Sequence, residues 1–159
     1  MSSVVVRSAT PADLASAAAL GAEIVRLHHA TNPSRFFMLD APEEGYAWWL
    51  GQELERAEAI VLVAELDGTV VGYAYGAIEE RDWNILVDRH GAFHDLCVAK
   101  RVRHTGIGRA LAEEMLRRLE ERGAPRILLR AMIQNEAAQR LAASLGFIPT
   151  MVEMTRETR

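Results

Sequence analysis

The feature that most constrains the fold of this chain is the stretch 100–115, KRVRHTGIGRALAEEM. It follows a short, mainly apolar run at 95–98, carries glycines at positions 106 and 108, and continues as an amphipathic segment without a break. A strand, a glycine-containing turn and a helix in that order leave the first backbone N–H groups of the helix without partners, at the positive end of the helix dipole. Glycine also lets a ligand approach the backbone closely, because no Cβ is in the way. The stretch therefore predicts an anion-binding site.

The charges around this turn favour the same interpretation. Positions 96–112 hold no acidic residue, but they do hold four cations: Lys100, Arg101, Arg103 and Arg109. The whole chain has a net charge of −4, so this basic segment contrasts with its background. A phosphate-bearing ligand is the predicted occupant. On these residues alone, a tight turn that binds nothing stays open as the alternative.

Composition bounds the remaining classes of function. A chain of 159 residues, 50% hydrophobic and 25% charged, suits one globular domain over residues 1–159. No apolar run approaches 18 residues, so no membrane span is predicted, and the mild acidity argues against general nucleic-acid binding. Cys97 is the only cysteine, which excludes an internal disulfide and a cysteine-based metal site and suits a cytoplasmic location. We therefore expect no metal, no membrane and no nucleic acid as partners.

Hydrophobic periodicity predicts a mixed α/β domain with the order β-α-α-β-β-β-α-β-α-β-β. Strands are predicted at 3–7, 60–66, 70–78, 91–98, 126–133, 147–148 and 151–155. Helices are predicted at 10–28, 42–54, 107–122 and 135–145. Within the strand at 91–98, simple alternation puts His94, Leu96 and Val98 on one face, and Phe93, Asp95 and Cys97 on the other.

Two motifs in this order resemble a known family. Arg103, Gly106 and Gly108 match the [QR]-x-x-G-x-[GA] signature of the GNAT superfamily of N-acetyltransferases, between the strand and the helix where that family carries it. Asn135 and Ala138, followed by a helix that ends in Gly-Phe, resemble the family's second cofactor motif. The element order agrees along nearly the whole chain. A dinucleotide site fits less well, because the third glycine of its pattern is missing and no acidic residue ends the next strand.

The resemblance implies a mainly antiparallel sheet whose fourth and fifth strands splay apart, with acetyl-CoA as the acyl donor. It implies that the pantetheine arm lies along Leu96, Cys97 and Val98, with further contacts at Asn135 and Ala138. The pyrophosphate would be held at Arg103, His104, Thr105, Gly106, Ile107, Gly108 and Arg109. The acceptor would be the amine of a small molecule, or the N-terminal or lysine amine of a peptide. The resemblance also allows a homodimer, for which the residues themselves give no argument.

The expected chemistry is direct attack of an amine on the thioester. An alkyl ammonium with a pKa of ~10.4 is neutral in only about one part in ~10³ at pH 7, so a base is useful. We expect His94 to be that base, because histidine exchanges protons near neutral pH and this strand should flank the thioester. A histidine that is only packed in the core is the alternative. The resemblance also implies that the backbone N–H of Val98 polarises the thioester carbonyl.

One departure from the family concerns the acid that protonates the leaving thiolate. Family members often carry a tyrosine seven residues after the motif asparagine, where this chain has Ala142. Tyr73 and Tyr75, on the strand at 70–78, are the predicted substitutes. The missing phenol also leaves open a domain that binds acyl-CoA without catalysis.

Overall fold

A five-stranded sheet with the order β1-β2-β3-β4-β5 organises the fold. In this computed structural model, which describes residues 3–158, the strands are β1 (Val4–Ser8), β2 (Ala59–Leu66), β3 (Thr69–Glu79), β4 (His90–Val98) and β5 (Ile127–Leu129). The first four are joined antiparallel, whereas β5 runs parallel to β4. A parallel neighbour requires a crossover, and the helix that follows the glycine turn supplies it. The predicted fold class is confirmed.

Within the described residues, four helices cover the sheet: α1 (Leu14–Thr31), α2 (Pro42–Glu53), α3 (Ile107–Glu121) and α4 (Glu136–Ser144). Short 3-10 turns precede two of them, at Pro11–Asp13 and Lys100–Val102. The helix starts follow the capping chemistry in the sequence. The backbone N–H of Thr10 donates to Oδ2 of Asp13 at 2.8 Å, and Pro42 occupies the first turn of α2.

The sheet separates two hydrophobic cores, and consecutive residues of β2 contribute to opposite ones. Leu62 packs with Leu111 and Met115 on the α3 side of the sheet. Val63 packs with Leu50 and Tyr73 on the side covered by α1 and α2. Side chains at the ends of α1 and α2 are thereby held over the face of the sheet opposite to α3.

The predicted strands beyond α4 are wrong. Within the described part of the tail, 147–158, the backbone forms no strand. β5 is also shorter than expected, with the three residues Ile127–Leu129 in place of the predicted 126–133. Both differences lie at one edge of the sheet. A strand requires a neighbour for its backbone hydrogen bonds, and no described segment of this chain pairs with the outer edge of β5.

No helix within residues 3–158 is long and apolar enough to cross a membrane.

Candidate active site

An opening between β4 and β5 is the main feature of the site. The two strands pair over only three residues each, and the last pair is Phe93 with Leu129. β4 continues along β3 as far as Val98, which lies opposite Gly72. The last five residues of β4 therefore have no described strand on their β5 side, and the predicted splay of these two strands is confirmed.

Arg103 shows which way the backbone faces at the end of β4. Its Nε donates to the carbonyl oxygen of Val98 at 2.9 Å, whereas the N–H of Ala99 donates to Val71 on β3 at 2.8 Å. In a strand, the N–H and C=O of one residue point to the same side, and adjacent residues point to opposite sides. The backbone groups of Val98 and Leu96 therefore face the opening. An extended ligand could pair with this free edge as an added strand does.

The turn that follows exposes the start of α3. Gly106 caps the helix with a φ of +89°, in the left-handed region that side-chain-bearing residues rarely adopt. A Cβ at this position would meet nothing within 4 Å, so the space beside the turn is open. His104 also has a positive φ, +64°, and the hydroxyl of Thr105 donates to Val102 at 2.6 Å to close the turn. The first N–H groups of α3 are thereby presented beside the opening, as an anion site requires.

The other residues of the predicted donor site differ in burial and in which of their groups a ligand can reach. Ile107 is buried in the core beneath α3, so only its backbone can face a ligand. A Cβ on Gly108 would lie 3.6 Å from Cγ2 of Val98, which places the first turn of α3 directly beside β4. Cys97 is buried among the residues under α1 and α2, and burial raises the pKa of its thiol to about 11. Its side chain is a packing residue, and its backbone groups point to β3, where it lies opposite Tyr73.

Arg109 connects α3 with α4, and Asn135 caps the start of α4. Arg109 pairs with Glu113 at 2.8 Å and donates to the hydroxyl of Ser144 at 3.0 Å. The side chain of Asn135 accepts a hydrogen bond from the N–H of Ala138 at 3.1 Å and caps α4. The amide NH₂ of Asn135 is not needed for the cap and can serve a ligand.

A β-bulge in β4 changes the faces that simple alternation predicts. Tyr75 lies opposite Asp95, but the next residue, Gly76, lies opposite Phe93. His94 is therefore the extra residue of the bulge. Gly76 is required here, because a Cβ on it would lie 2.9 Å from a backbone oxygen of β4 and 2.7 Å from a methionine sulfur.

The expected faces are consequently wrong for two residues of β4. Phe93 packs with Leu96 and Val98 on the α3 side rather than with Asp95 and Cys97. The ring of His94 stacks on Tyr75 at 5.6 Å, on the opposite side of the sheet from Leu96 and Val98.

His94 is partly exposed and is oriented by a carboxylate. Its Nε2 lies 2.6 Å from Oε1 of Glu79, and 38% of its side chain is exposed. The other oxygen of Glu79 lies 3.5 Å from Nε2 of the buried His90. His94 is thus not enclosed in the core, and it sits where β4 begins to separate from β5.

Asp95, the residue after His94 on β4, lies at the centre of a cluster of polar side chains. The hydroxyl groups of Tyr73 and Tyr46 both donate to its Oδ2, at 2.9 and 3.2 Å. Oδ1 accepts no hydrogen bond from a described residue. Burial raises the pKa of Asp95 above its ordinary value despite the two donors, and burial also raises the pKa of both phenols.

The second predicted phenol, Tyr75, is also bound to a carboxylate. Its hydroxyl donates to Oε2 of the buried Glu53, which Arg56 contacts at 2.7 Å. Burial, followed by this hydrogen bond, raises the pKa of Tyr75. Tyr73 and Tyr75 lie on β3, opposite Cys97 and Asp95 of β4, but each phenol would have to leave its carboxylate to protonate a thiolate.

The position at which the family often has a tyrosine is closed in this chain. Ala142 is buried in α4, and the nearby hydroxyl of Ser144 is engaged with Leu141 and Arg109. Among residues 3–158, no three His, Cys, Asp or Glu side chains come together in a way that could hold a metal ion.

Comparison with known proteins gives the same family as the two motifs. The model of the acetyltransferase (GNAT) family matches residues 22–147. This chain belongs to the GNAT acetyltransferase family. An N-alpha-acetyltransferase of Sulfurisphaera tokodaii is 31% identical over 114 residues, which cover 69% of this chain and 68% of that relative.

Solved structures agree on the fold. A protein from Bacillus halodurans superposes with a TM-score of 0.80 at 21% identity, covering 97% of this chain and 99% of its own. An aminoglycoside N-acetyltransferase in complex with CoA superposes with a TM-score of 0.74 at 17% identity, covering 100% and 97%. GNAT enzymes use acetyl-CoA, so the opening and the turn of this GNAT protein fit the donor that its family employs.

Sequence patterns missed the surroundings of three acidic residues near Tyr75 and His94. Asp95 is expected only as a carboxylate pointing away from His94, and Glu53 and Glu79 carry no motif. A charged residue inside an otherwise apolar strand was the one available signal for Asp95.

Proposed function

We propose that this protein transfers an acetyl group from acetyl-CoA to a primary amine by direct attack, within a single domain over residues 1–159. The supporting observation is the free edge of β4, which leads directly into the exposed turn at Gly106. This arrangement offers backbone hydrogen bonds to an amide-containing arm at one end and unpaired N–H groups to a pyrophosphate at the other.

The donor would be held mainly by backbone. The backbone groups of Leu96 and Val98 would pair with the pantetheine arm, which would run past Cys97, and Asn135 would add its amide NH₂, with Ala138 beside it. The turn Arg103–Arg109 would bind the pyrophosphate through the N–H groups of His104, Thr105, Gly106, Ile107 and Gly108. Acetyl-CoA supplies an activated thioester, and a thiolate whose conjugate acid has a pKa of ~8.5 is a tolerable leaving group without a strong acid.

The residues near the end of the opening would handle charge and protons. The N–H of Val98 faces the opening and would stabilise the developing oxyanion. His94 would accept the proton of the amine, with Glu79 holding its ring at 2.6 Å. Tyr73 and Tyr75 are the candidates to protonate the thiolate.

The acceptor would bind on the side of Asp95. Its Oδ1 has no donor among residues 3–158, and Tyr46, which donates to Oδ2, packs edge to face against Trp49 with the ring centroids 5.6 Å apart. A carboxylate next to aromatic rings suits an ammonium group. One relative is named for acetylating an α-amine and one structural neighbour for acetylating an aminoglycoside, so these two acceptor classes are the first to test.

A second candidate function is acyl-CoA binding without catalysis. The buried Ala142, together with two phenols that are already bonded to carboxylates, favours it. Under this alternative the donor site is intact and turnover is absent.

One experiment separates the two candidates. The purified protein is mixed with acetyl-CoA and, in turn, with peptides bearing a free N-terminus, lysine peptides, aminoglycosides and small alkyl amines, and free thiol is followed. Amine-dependent thiol release supports transfer. A rise in Tm with acetyl-CoA but no thiol release with any amine supports the binder, and no rise in Tm with acetyl-CoA or other acyl-CoA thioesters contradicts both.

A further inference from the structure

The backbone of His94 is held less firmly by the sheet than its neighbours on β4. It is the extra residue of the bulge, so no residue of β3 lies opposite it, and the pairing of β4 with β5 ends one residue earlier, at Phe93. A bulged residue is left out of the regular ladder of backbone hydrogen bonds. The orientation of the His94 ring therefore depends on the side chains that contact it.

Two residues of β3 make those side-chain contacts. Oε1 of Glu79 lies 2.6 Å from Nε2 of His94, and the ring of Tyr75 stacks on the imidazole with the planes 19° apart. The centroid separation of 5.6 Å is within the range of favourable aromatic pairs. Tyr75 is only 5% exposed, so a buried ring supports one face of the partly exposed imidazole.

Helix α2 holds Tyr75 in turn. Trp49 and Glu53 are four positions apart on α2 and therefore lie on the same face of the helix. Trp49 packs edge to face with the ring of Tyr75 at 4.7 Å, and Glu53 accepts a hydrogen bond from the Tyr75 hydroxyl. Arg56 donates to the same oxygen of Glu53, Oε2, at 2.7 Å, which compensates the charge of this buried carboxylate. Tyr75 is thus fixed both at its ring and at its hydroxyl.

We propose that Tyr75, anchored by Glu53, is a positioning residue that fixes the imidazole of His94 for proton transfer, and is not the acid that protonates the thiolate. This inference rests on the proposed function, in which His94 accepts the proton of the amine. The Tyr75 hydroxyl is already bonded to a charge-paired carboxylate, whereas its ring touches the proposed base. A catalytic group displaced by about 1 Å can lose about 10²-fold in rate. Tyr73 remains the candidate acid.

The test compares two truncations of the same side chain. Tyr75→Phe removes the hydroxyl and keeps the ring, whereas Tyr75→Leu removes both. We expect kcat to fall about tenfold or more in Tyr75→Leu, because the imidazole loses its support, and about threefold or less in Tyr75→Phe. KM for acetyl-CoA and the rise in Tm with acetyl-CoA should persist in both, because neither change alters the turn at Gly106.

Two further comparisons separate the anchor from general stability. Glu53→Leu removes the acceptor of the Tyr75 hydroxyl and should lower kcat more than Glu53→Gln, which keeps an oxygen there. Leu119→Ala truncates a fully buried side chain in the other core, on the α3 side of the sheet. It should lower Tm, because it leaves a cavity, but keep kcat at the wild-type value.

A second readout does not depend on turnover. Nuclear Overhauser effects between the ring protons of His94 and the methylene protons of Glu79 report in NMR spectra whether the imidazole keeps its place. The His94 signals are identified by their absence from His94→Gln. The effects should be present in the wild type, Tyr75→Phe and Leu119→Ala, and should be lost in Tyr75→Leu.

Three outcomes would overturn the proposal. Equal losses of kcat in Tyr75→Phe and Tyr75→Leu would assign the role to the hydroxyl. Retained Overhauser effects in Tyr75→Leu would show that the imidazole keeps its place without the stacked ring. A loss of kcat in Leu119→Ala as large as in Tyr75→Leu would leave only stability as the cause. Failure of the proposed function is seen differently, as no thiol release with any amine, while the Overhauser effects still show whether Tyr75 fixes the ring.

Discussion

The two halves of the proposed site are built from different parts of the chain. Most of the proposed donor half is a continuous segment from Leu96 to Arg109, which would offer a ligand mainly backbone N–H and C=O groups. The proposed acceptor half brings together the side chains of Tyr46 from α2, Tyr73 from β3 and Asp95 from β4. A backbone site tolerates different side chains as long as the turn keeps its conformation, whereas a side-chain site changes with each substitution. The donor half can thus be common to a family while the acceptor half differs.

The largest effect is expected from a substitution that disrupts the backbone conformation of the proposed donor half. Gly106→Val places a β-branched residue at a φ of +89° and fills the open space beside the turn. We expect the stabilisation by acetyl-CoA, about 2.7 kcal/mol at one hundred times Kd, to be lost together with turnover. The measurement is Tm with and without acetyl-CoA.

Gly68→Val is the matched control for that variant. Gly68 has a φ of +75° in the β2–β3 turn and is also open to solvent, so the backbone strain is comparable, about 1–2 kcal/mol. It should lower Tm but keep the response to acetyl-CoA. Loss of the response in both variants would mean that stability, not the donor site, was lost.

The next largest effect is expected from a substitution of His94, which lies between the proposed donor and acceptor halves. His94→Gln is expected to reduce kcat/KM about 10²-fold and to remove the acidic limb of the pH profile, while the Tm rise with acetyl-CoA persists. His29→Gln, at the end of α1, is the control, because its ring is held by the carbonyl of Phe36 and should not affect the limb. An unchanged acidic limb in His94→Gln would show that another group accepts the proton.

A smaller effect is expected within the acceptor half. Asp95→Asn retains an oxygen for the two tyrosines but removes the charge, so kcat/KM for a cationic amine should fall about 10-fold or more. Tyr46→Phe, which removes one donor to Oδ2 and leaves the charge, should cost less. Both variants should respond to acetyl-CoA as the wild type does. An unaltered kcat/KM in Asp95→Asn for every amine would remove Asp95 from the acceptor site.

Asp95→Asn is expected to raise the stability of the fold at neutral pH, although it lowers kcat/KM. Burial raises the pKa of Asp95 in the folded state, so the folded chain holds its proton more tightly than the unfolded chain. Stability from this group is therefore present at low pH and is lost as pH rises through the raised pKa. Asp95→Asn should be more stable than the wild type at pH 7, with the difference shrinking towards pH 4. A Tm difference that grows as pH falls would contradict this sign.

The smallest effect lies outside both halves and serves as a reference. Hydrogen bonds from Arg7 lower the pKa of Asp13 to about 2, so its contribution is present above the ordinary pKa of an aspartate and is lost as pH falls from about 4 to 2. Because a third of the Arg7 side chain is exposed, we expect Asp13→Asn to cost about 1 kcal/mol of unfolding free energy at pH 7. Its kcat/KM should match the wild type. If Asp13→Asn lost as much activity as Asp95→Asn or Tyr46→Phe, reduced stability alone would explain the effects of those two variants.

Local patterns were enough to predict most elements of the fold. The glycine turn at Gly106 and the four helices each depend on neighbours along the chain, and the structure has them where they are predicted. The failures are non-local. The bulge at His94 depends on the register of β3 against β4, and the missing strands after α4 depend on whether an edge has a partner.

By itself, the sequence determined the five strands and four helices of the core fold, because these follow from short-range periodicity, and its two motifs identified the family and led to the proposed backbone site for the donor. Only the tertiary structure decided that Asp95 receives two phenols, that Tyr75 is bound to Glu53, and that His94 leaves the face of Leu96. Those contacts join residues 22 to 49 positions apart. Alternation along one strand carries no information about a bulge that its neighbour imposes.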